Sequence, residues 1–157
     1  MGEIEIADVE PVRVIGIRKR GRYEELADMF MTLAQHAMAN NIQLSGPAIF
    51  VSHEMNEEEA LRAQEEGNAD LEATFPYVGD KAPETDRIRS YELPGAKMAK
   101  LLHKGPYDQM GQRYNELFSW LRENGKSIDG LIRECYLNNP QEVGMENALT
   151  EIQVPIK

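Results

Sequence analysis

A single cysteine, Cys135, leaves the chain without an internal disulfide, and there is no Cys-x-x-Cys pair to suggest a redox or zinc motif. Long apolar runs are missing too: no stretch approaches the roughly 20 residues that a bilayer-spanning helix needs. The opening residues, Met-Gly-Glu-Ile-Glu-Ile, lack the basic start and apolar core of a secretory signal. Together these absences point to a reducing cytoplasm and to no membrane partner. Positive charge is scarce: 17 Lys and Arg against 27 Asp and Glu give a net charge of −10 over 157 residues. Such a surface repels phosphate backbones, which argues against direct DNA binding, and it attracts cations. The three histidines, His36, His53 and His103, are scattered. No Ser-His-Asp set, phosphate-gripping loop or metal-ligand cluster can be assembled, so no cofactor and no metal are expected.

What is present is a regular alternation of patterns. Residues 12–19 (VRVIGIRK) are rich in β-branched side chains and read as a strand. Residues 23–41 place Leu26, Met29, Phe30, Leu33 and Ala37 at helical spacing, with Asn40-Asn41 as a stop. Strands are predicted at 47–52 and 71–78. Between them lies an acidic surface excursion, 53–70, with Asn56 and Glu59 spaced as a capping box. Residues 79–86 (GDKAPETD) read as a linker and 87–93 as a short strand. The pattern then repeats: strand 96–104, helix 107–125, and two last strands in LIRECYLNN and ALTEIQVPI. The basic run Arg18 to Arg22 falls where strand meets helix and reads as a solvated turn.

The repeat is also written in single residues. A shift of 84 sets Gly21 on Gly105, Tyr23 on Tyr107, Phe30 on Tyr114, Leu33 on Leu117, Asn40 on Asn124 and Gly46 on Gly130. A shift of 79 sets Glu72 on Glu151 and Pro76 on Pro155. One domain over 1–157 is expected, with a first repeat at about 11–78, a linker and extra strand at 79–95, and a second repeat at about 96–157. The fold class is α+β: tandem strand-helix-strand-strand units with pseudo-twofold symmetry. Their antiparallel sheet carries helices on one face and a ligand groove on the other.

Within this plan Glu134 stands out, a carboxylate in the middle of the strand RECYL. Alternation separates Leu131, Arg133, Cys135 and Leu137 from Ile132, Glu134 and Tyr136. The apolar members of the first set suit the helix-covered face, with Cys135 an inert packing thiol, which turns Glu134 and Tyr136 toward the groove. A partly desolvated carboxylate there would be a counter-ion for a flat or apolar cation, or an acid or base of raised pKa. The repeat sets Phe50 on Glu134 and Ser52 on Tyr136.

The motifs HKGPY (103–107), WLRENG (120–125), RECYLNNP (133–140) and LTEIQVPI (149–156), in this order and spacing, resemble the GyrI-like effector-binding domain. That module serves drug-responsive activators of the AraC and MerR types, and it also stands alone as the gyrase-inhibitory protein. The resemblance runs from Val12 to Ile156 and implies a tandem strand-helix-strand-strand fold around a small-molecule pocket. It implies Glu134 at the pocket base, countering cationic amphipathic ligands, with Tyr136 beside it. Tyr107, Trp120, Phe50 and Phe75 are candidate aromatic walls by placement. Trp120 also fits a helix-core position and Tyr107 a turn-pinning one. Glu151 and Gln153 share a face by alternation and are candidates for the same groove; the family often carries an aromatic where Gln153 stands. Two alternatives follow from relatives. One is a hydrolase that opens strained rings of alkylating natural products, with Glu134 and Tyr136 catalytic. The other is a regulator acting on a protein partner such as gyrase or a separate transcription factor. About ten residues precede the first expected strand, leaving no room for a helix-turn-helix.

Overall fold

The structure, a computed structural model, describes residues 4–54 and 56–157. The chain divides into two compact units, one comprising Pro11–Pro94 and the other Gly95–Lys157 together with Met1–Glu10.

The Pro11–Pro94 unit runs β2 (Val12–Gly21), α1 (Leu26–Ala39), β3 (Ala48–Ser52), α2 (Glu57–Glu66), β4 (Ala69–Pro76) and β5 (Arg89–Leu93). Its antiparallel sheet has the order β5-β2-β4-β3. The predicted helix begins as a 3-10 turn at Tyr23–Glu25 before continuing as α1, and it stops at Asn40 with Asn41 in the left-handed region. Asn56 caps α2 by accepting the Glu59 amide at 2.9 Å, as the spacing predicts. Ile15, Ile17, Leu71, Ala73 and Phe50 lie on one side of the sheet by register and are buried with Met29, Leu33 and Ala37 of α1.

The other unit repeats this plan with β6 (Ala96–Lys104), α3 (Met110–Glu123), β7 (Ile132–Tyr136) and β8 (Leu149–Pro155). Its strand order is β1-β6-β8-β7, where β1 is Glu5–Val9. A four-residue helix α4 (Pro140–Val143) and a 3-10 turn stand where α2 stands in the other unit. The core is Ala99, Leu101, Leu117, Leu121, Ile132, Ile152, Val154 and Ile156, with Tyr114, Phe118 and Trp120 of α3 packed on it.

One strand was not expected, and one expected strand has a partner remote in sequence. The residues before Val12 form a strand, β1, that pairs with β6, although it immediately precedes β2 in the chain. Likewise β5, the extra strand beyond the linker, pairs with β2 although it precedes β6. Each sheet thus takes its outer strand from the segment leading into the other. The basic run is no turn either: β2 continues through Gly21, Arg18 forks onto Asp70 at 2.9 and 2.7 Å, and Lys19 meets Glu25.

The Pro11–Pro94 sheet carries a buried polar network on the side away from α1. Glu72, 7% exposed, accepts from the Tyr91 hydroxyl at 2.7 Å and pairs with His53 Nε2 at 2.7 Å. His53 Nδ1 lies 3.4 Å from Arg18 Nη2, and a guanidinium only donates, so Nδ1 accepts and Nε2–H serves Glu72. Tyr91 reaches Glu72 by lying over Gly16, where a side chain would collide with its ring and hydroxyl. Gly16→Ala is therefore expected to cost about 1–3 kcal/mol in chemical denaturation, and to cost much less in a Tyr91→Ala background. Additive losses would show that Gly16 matters for another reason.

Candidate functional site

Glu134 sits at the centre of β7, and the hydroxyls bonded to its carboxylate come from the unit built on β6, β7 and β8. Antiparallel register sets Glu134 opposite Ile152 and Tyr136 opposite Thr150, and opposed residues share a face. Ile152 and Ile132 pack against Leu117 and Leu121 of α3. Glu134 and Tyr136 therefore project to the helix-covered face, not away from it as alternation and composition suggested. Alternation fixes which residues share a face but not which face is covered. The leucines that decided the expectation, Leu131 and Leu137, lie just beyond the strand ends and are 39% and 44% exposed.

The carboxylate is held by phenols. Tyr114, on the first turns of α3, donates to Oε2, and Tyr136 donates to Oε1 at 2.7 Å. The ring of Tyr107, in the 3-10 turn before α3, lies 5.6 Å from that of Tyr136 at a tilt of 55°. Phe118, one turn beyond Tyr114, packs its ring 5.8 Å from Tyr114. His103 on β6 is buried and sits across Thr150 on the same face, its Nε2–H directed at the Pro106 carbonyl at 2.9 Å. That contact fixes the turn from which Tyr107 is presented. Glu134 remains partly buried, and Tyr107 is 40% exposed at the outer edge.

Burial pushes the Glu134 proton affinity above the ordinary carboxylate range; the two phenol donors, and then His103, oppose that shift. No lysine or arginine among the described residues contributes to it. Tyr136 is raised well above its ordinary value, by burial first and by Glu134 next, and Tyr107 is raised by the same two causes. Both phenols therefore stay protonated, Tyr136 as a donor to Glu134. Among the described residues no group of His, Cys, Asp or Glu is arranged to hold a metal ion.

Of the candidates, Glu134, Tyr136 and Tyr107 come together. Trp120 packs on the hydrophobic core with the rest of α3. Glu151 and Gln153 pair with Cys135 and Arg133 in register and lie on the opposite face from Glu134, so they do not line this cluster. There Gln153 donates to Glu151 at 2.7 Å, and Lys100 lies 3.7 Å from Glu151. Cys135 shares that face. It is buried, but on the side away from α3, and its thiol is pushed up to about 12 by burial and then by Glu151. Phe50 and Phe75 belong to the Pro11–Pro94 core, with Phe50 edge-on to Tyr23 at 6.1 Å and Phe75 to Phe30 at 5.8 Å.

Sequence reasoning missed Tyr114 and His103. Tyr114 was legible in the repeat: it replaces Phe30 in the same half where Glu134 replaces Phe50, so a phenol enters with the acid it serves. His103 had no such signal.

The sequence profile of the GyrI-like small molecule binding domain matches residues 2–157. No curated protein matches the chain. Among solved structures, the C-terminal domain of EcmrR superposes with a TM-score of 0.86 at 20% identity, covering 100% of this chain and 98% of that one. In the EcmrR–DNA complex the likeness spans 57% of the EcmrR chain, at a TM-score of 0.85. A hydrolase from Listeria innocua gives 0.71 at 14% identity over 99% and 92% of the two chains. SAV2435 bound to tetraphenylphosphonium gives 0.62 at 14% identity over 99% and 94%. At these identities the likeness establishes the fold. Among the described residues no helix is long and apolar enough to cross a membrane.

A folded state that holds the Glu134 proton more tightly than the unfolded chain gains from this group only while it is protonated. That contribution is complete below the ordinary glutamate range and is lost as pH rises through the raised folded value. Glu134→Gln, which mimics the neutral form, is expected to melt above wild type at pH 8, with the gap closing toward about pH 4. A variant less stable than wild type at every pH would show that the ionised carboxylate is instead a structural requirement.

Proposed function

The chain belongs to the GyrI-like small-molecule-binding domain family, and we propose that it binds an apolar or cationic amphipathic ligand with Glu134 as counter-ion. The observation that carries this reading is a desolvated strand carboxylate, walled by aromatic rings, that meets two phenols and no lysine or arginine among the described residues. Burying such a charge costs several kcal/mol unless a partner compensates, and the phenols supply dipoles but no opposite charge. A bound cation supplies it, and the rings of Tyr107, Tyr114 and Tyr136 offer π-faces to the rest of the molecule. The uncapped 3-10 turn carrying Tyr107 is the outermost part of the cluster and the natural point of entry. The tetraphenylphosphonium held by SAV2435 makes that lipophilic cation the first probe to use.

A second reading is hydrolysis, favoured by one feature of the same cluster. A carboxyl of raised proton affinity between phenol donors is suited to activate water, with Tyr136 donating to a developing oxyanion. The Listeria innocua relative described as a hydrolase keeps this option in the same fold. Steady turnover of a cyclopropane-bearing alkylating compound, abolished in Glu134→Gln, would select it; stoichiometric binding without turnover would select the binding role.

For binding, calorimetric titration of tetraphenylphosphonium is expected to show a loss of about thirtyfold or more in Glu134→Gln, the equivalent of about 2–5 kcal/mol. Equal affinity in the two proteins would remove the counter-ion role. Cation binding requires the ionised carboxylate, so wild-type affinity is expected to fall on acidification. The fall should begin at a higher pH than an ordinary glutamate would give, and Glu134→Gln should not show it.

A further inference from the structure

Thr150 is fully buried on β8, and its hydroxyl has no hydrogen-bond partner among the described residues. Buried hydroxyls ordinarily find a partner, because an unmet one forfeits its hydration. Thr74, a fully buried threonine of the Pro11–Pro94 unit, behaves that way and donates to the Ile49 carbonyl at 3.0 Å. Thr150 faces the Glu134 cluster: register places it directly between Tyr136 on β7 and His103 on β6. The Tyr136 hydroxyl donates to Glu134, and His103 Nε2–H donates to the Pro106 carbonyl. Thr150 and Glu134 are diagonal neighbours on one face, a relation of about 7–8 Å between backbones that polar side chains shorten at their tips.

We propose that Thr150 is a specificity-determining residue of this site. Its hydroxyl accepts a hydrogen bond from the ligand's head group, so the site selects cations that carry N–H, such as protonated amines, amidines or guanidines. This rests on the binding role of Glu134 and narrows it. One N–H meets the carboxylate and another meets Thr150 Oγ1. A quaternary ammonium or phosphonium satisfies the charge but leaves the hydroxyl as it is in the free protein. The threonine thus costs the empty protein stability that a matching ligand returns.

The test uses 4,4-diphenylbutylammonium and its N,N,N-trimethyl derivative, titrated by calorimetry into wild type, Thr150→Val, Thr150→Ser and Glu134→Gln. Wild type should prefer the primary ammonium. Thr150→Val should weaken that ligand about tenfold while changing the trimethyl derivative by less than about twofold. Thr150→Ser should retain the preference. The ligand-free Thr150→Val protein should melt above wild type, since an isosteric methyl replaces an unmet hydroxyl. Equal effects of Thr150→Val on both ligands would overturn the proposal. So would a lower melting temperature, which would mean that the hydroxyl is satisfied in the free protein by a buried water. Glu134→Gln separates the two levels. If it leaves both affinities unchanged, the binding role of the site falls. If it weakens both while Thr150→Val does not discriminate, only the head-group inference falls.

Discussion

The controlling interaction is the contact between Glu134 and two tyrosine hydroxyls beneath the start of α3. A carboxylate on the helix-covered face of a small sheet is costly, and hydrogen bonds to an anion are among the few contacts strong enough to hold it there. Tyr114 and Tyr136 supply them from different elements, so the acid also ties the first turns of α3 to β7. Because burial is the larger influence and the phenols the smaller, the carboxyl stays partly frustrated. That imbalance makes the carboxyl responsive to pH.

Comparing the two units shows how such a cluster fits this plan without disturbing the fold. In the Pro11–Pro94 unit the matching positions hold Phe50 and Phe30, and both are spent on ring packing with Tyr23 and Phe75. In the other unit Glu134 and Tyr114 replace them, while Leu33 and Leu117, the matching helix anchors, stay fully buried. The sheet and helix are thus secured by positions that the two units share. The chemistry sits on positions where they differ. An apolar pair and a bonded acid–phenol pair fill similar space, so the exchange alters charge more than packing.

Much of this plan was legible from local patterns. Helix limits at Asn40 and Gly125, the cap at Asn56 and the repeat of strand, helix, strand, strand all follow from short-range rules that the structure keeps. The outer strands were harder to see. Their partners are remote in sequence, and β1 alternates too weakly in burial to announce a covered face. The orientation of Glu134 was misread for a related reason. Period-two alternation is blind to which face a helix covers, and the leucines used to choose lie outside the strand. The same ambiguity drew Glu151 and Gln153 into the site, although one step of register places them on the other face. Thr150 was invisible because an unmet hydroxyl is a property of three-dimensional surroundings, not of residue type.

The two sheet glutamates are held in different ways. Glu72 occupies the repeat position of Glu151, not that of Glu134, yet it faces the same problem of holding a desolvated acid in a sheet. Its answer is internal: His53 and Tyr91 take its oxygens, and Arg18 stands directly opposite on β2, feeling its charge. Every partner there is itself engaged, with Arg18 forked on Asp70, whose pKa that guanidinium holds below the usual range. A network closed in this way gains nothing from a guest. Around Glu134 the dipoles are in place, no lysine or arginine among the described residues stands beside it, and a hydroxyl diagonal to it on the same face has no hydrogen-bond partner among them. The fold thus meets one acid with a histidine, a phenol and a facing arginine, and the other with two phenols and a histidine's field alone.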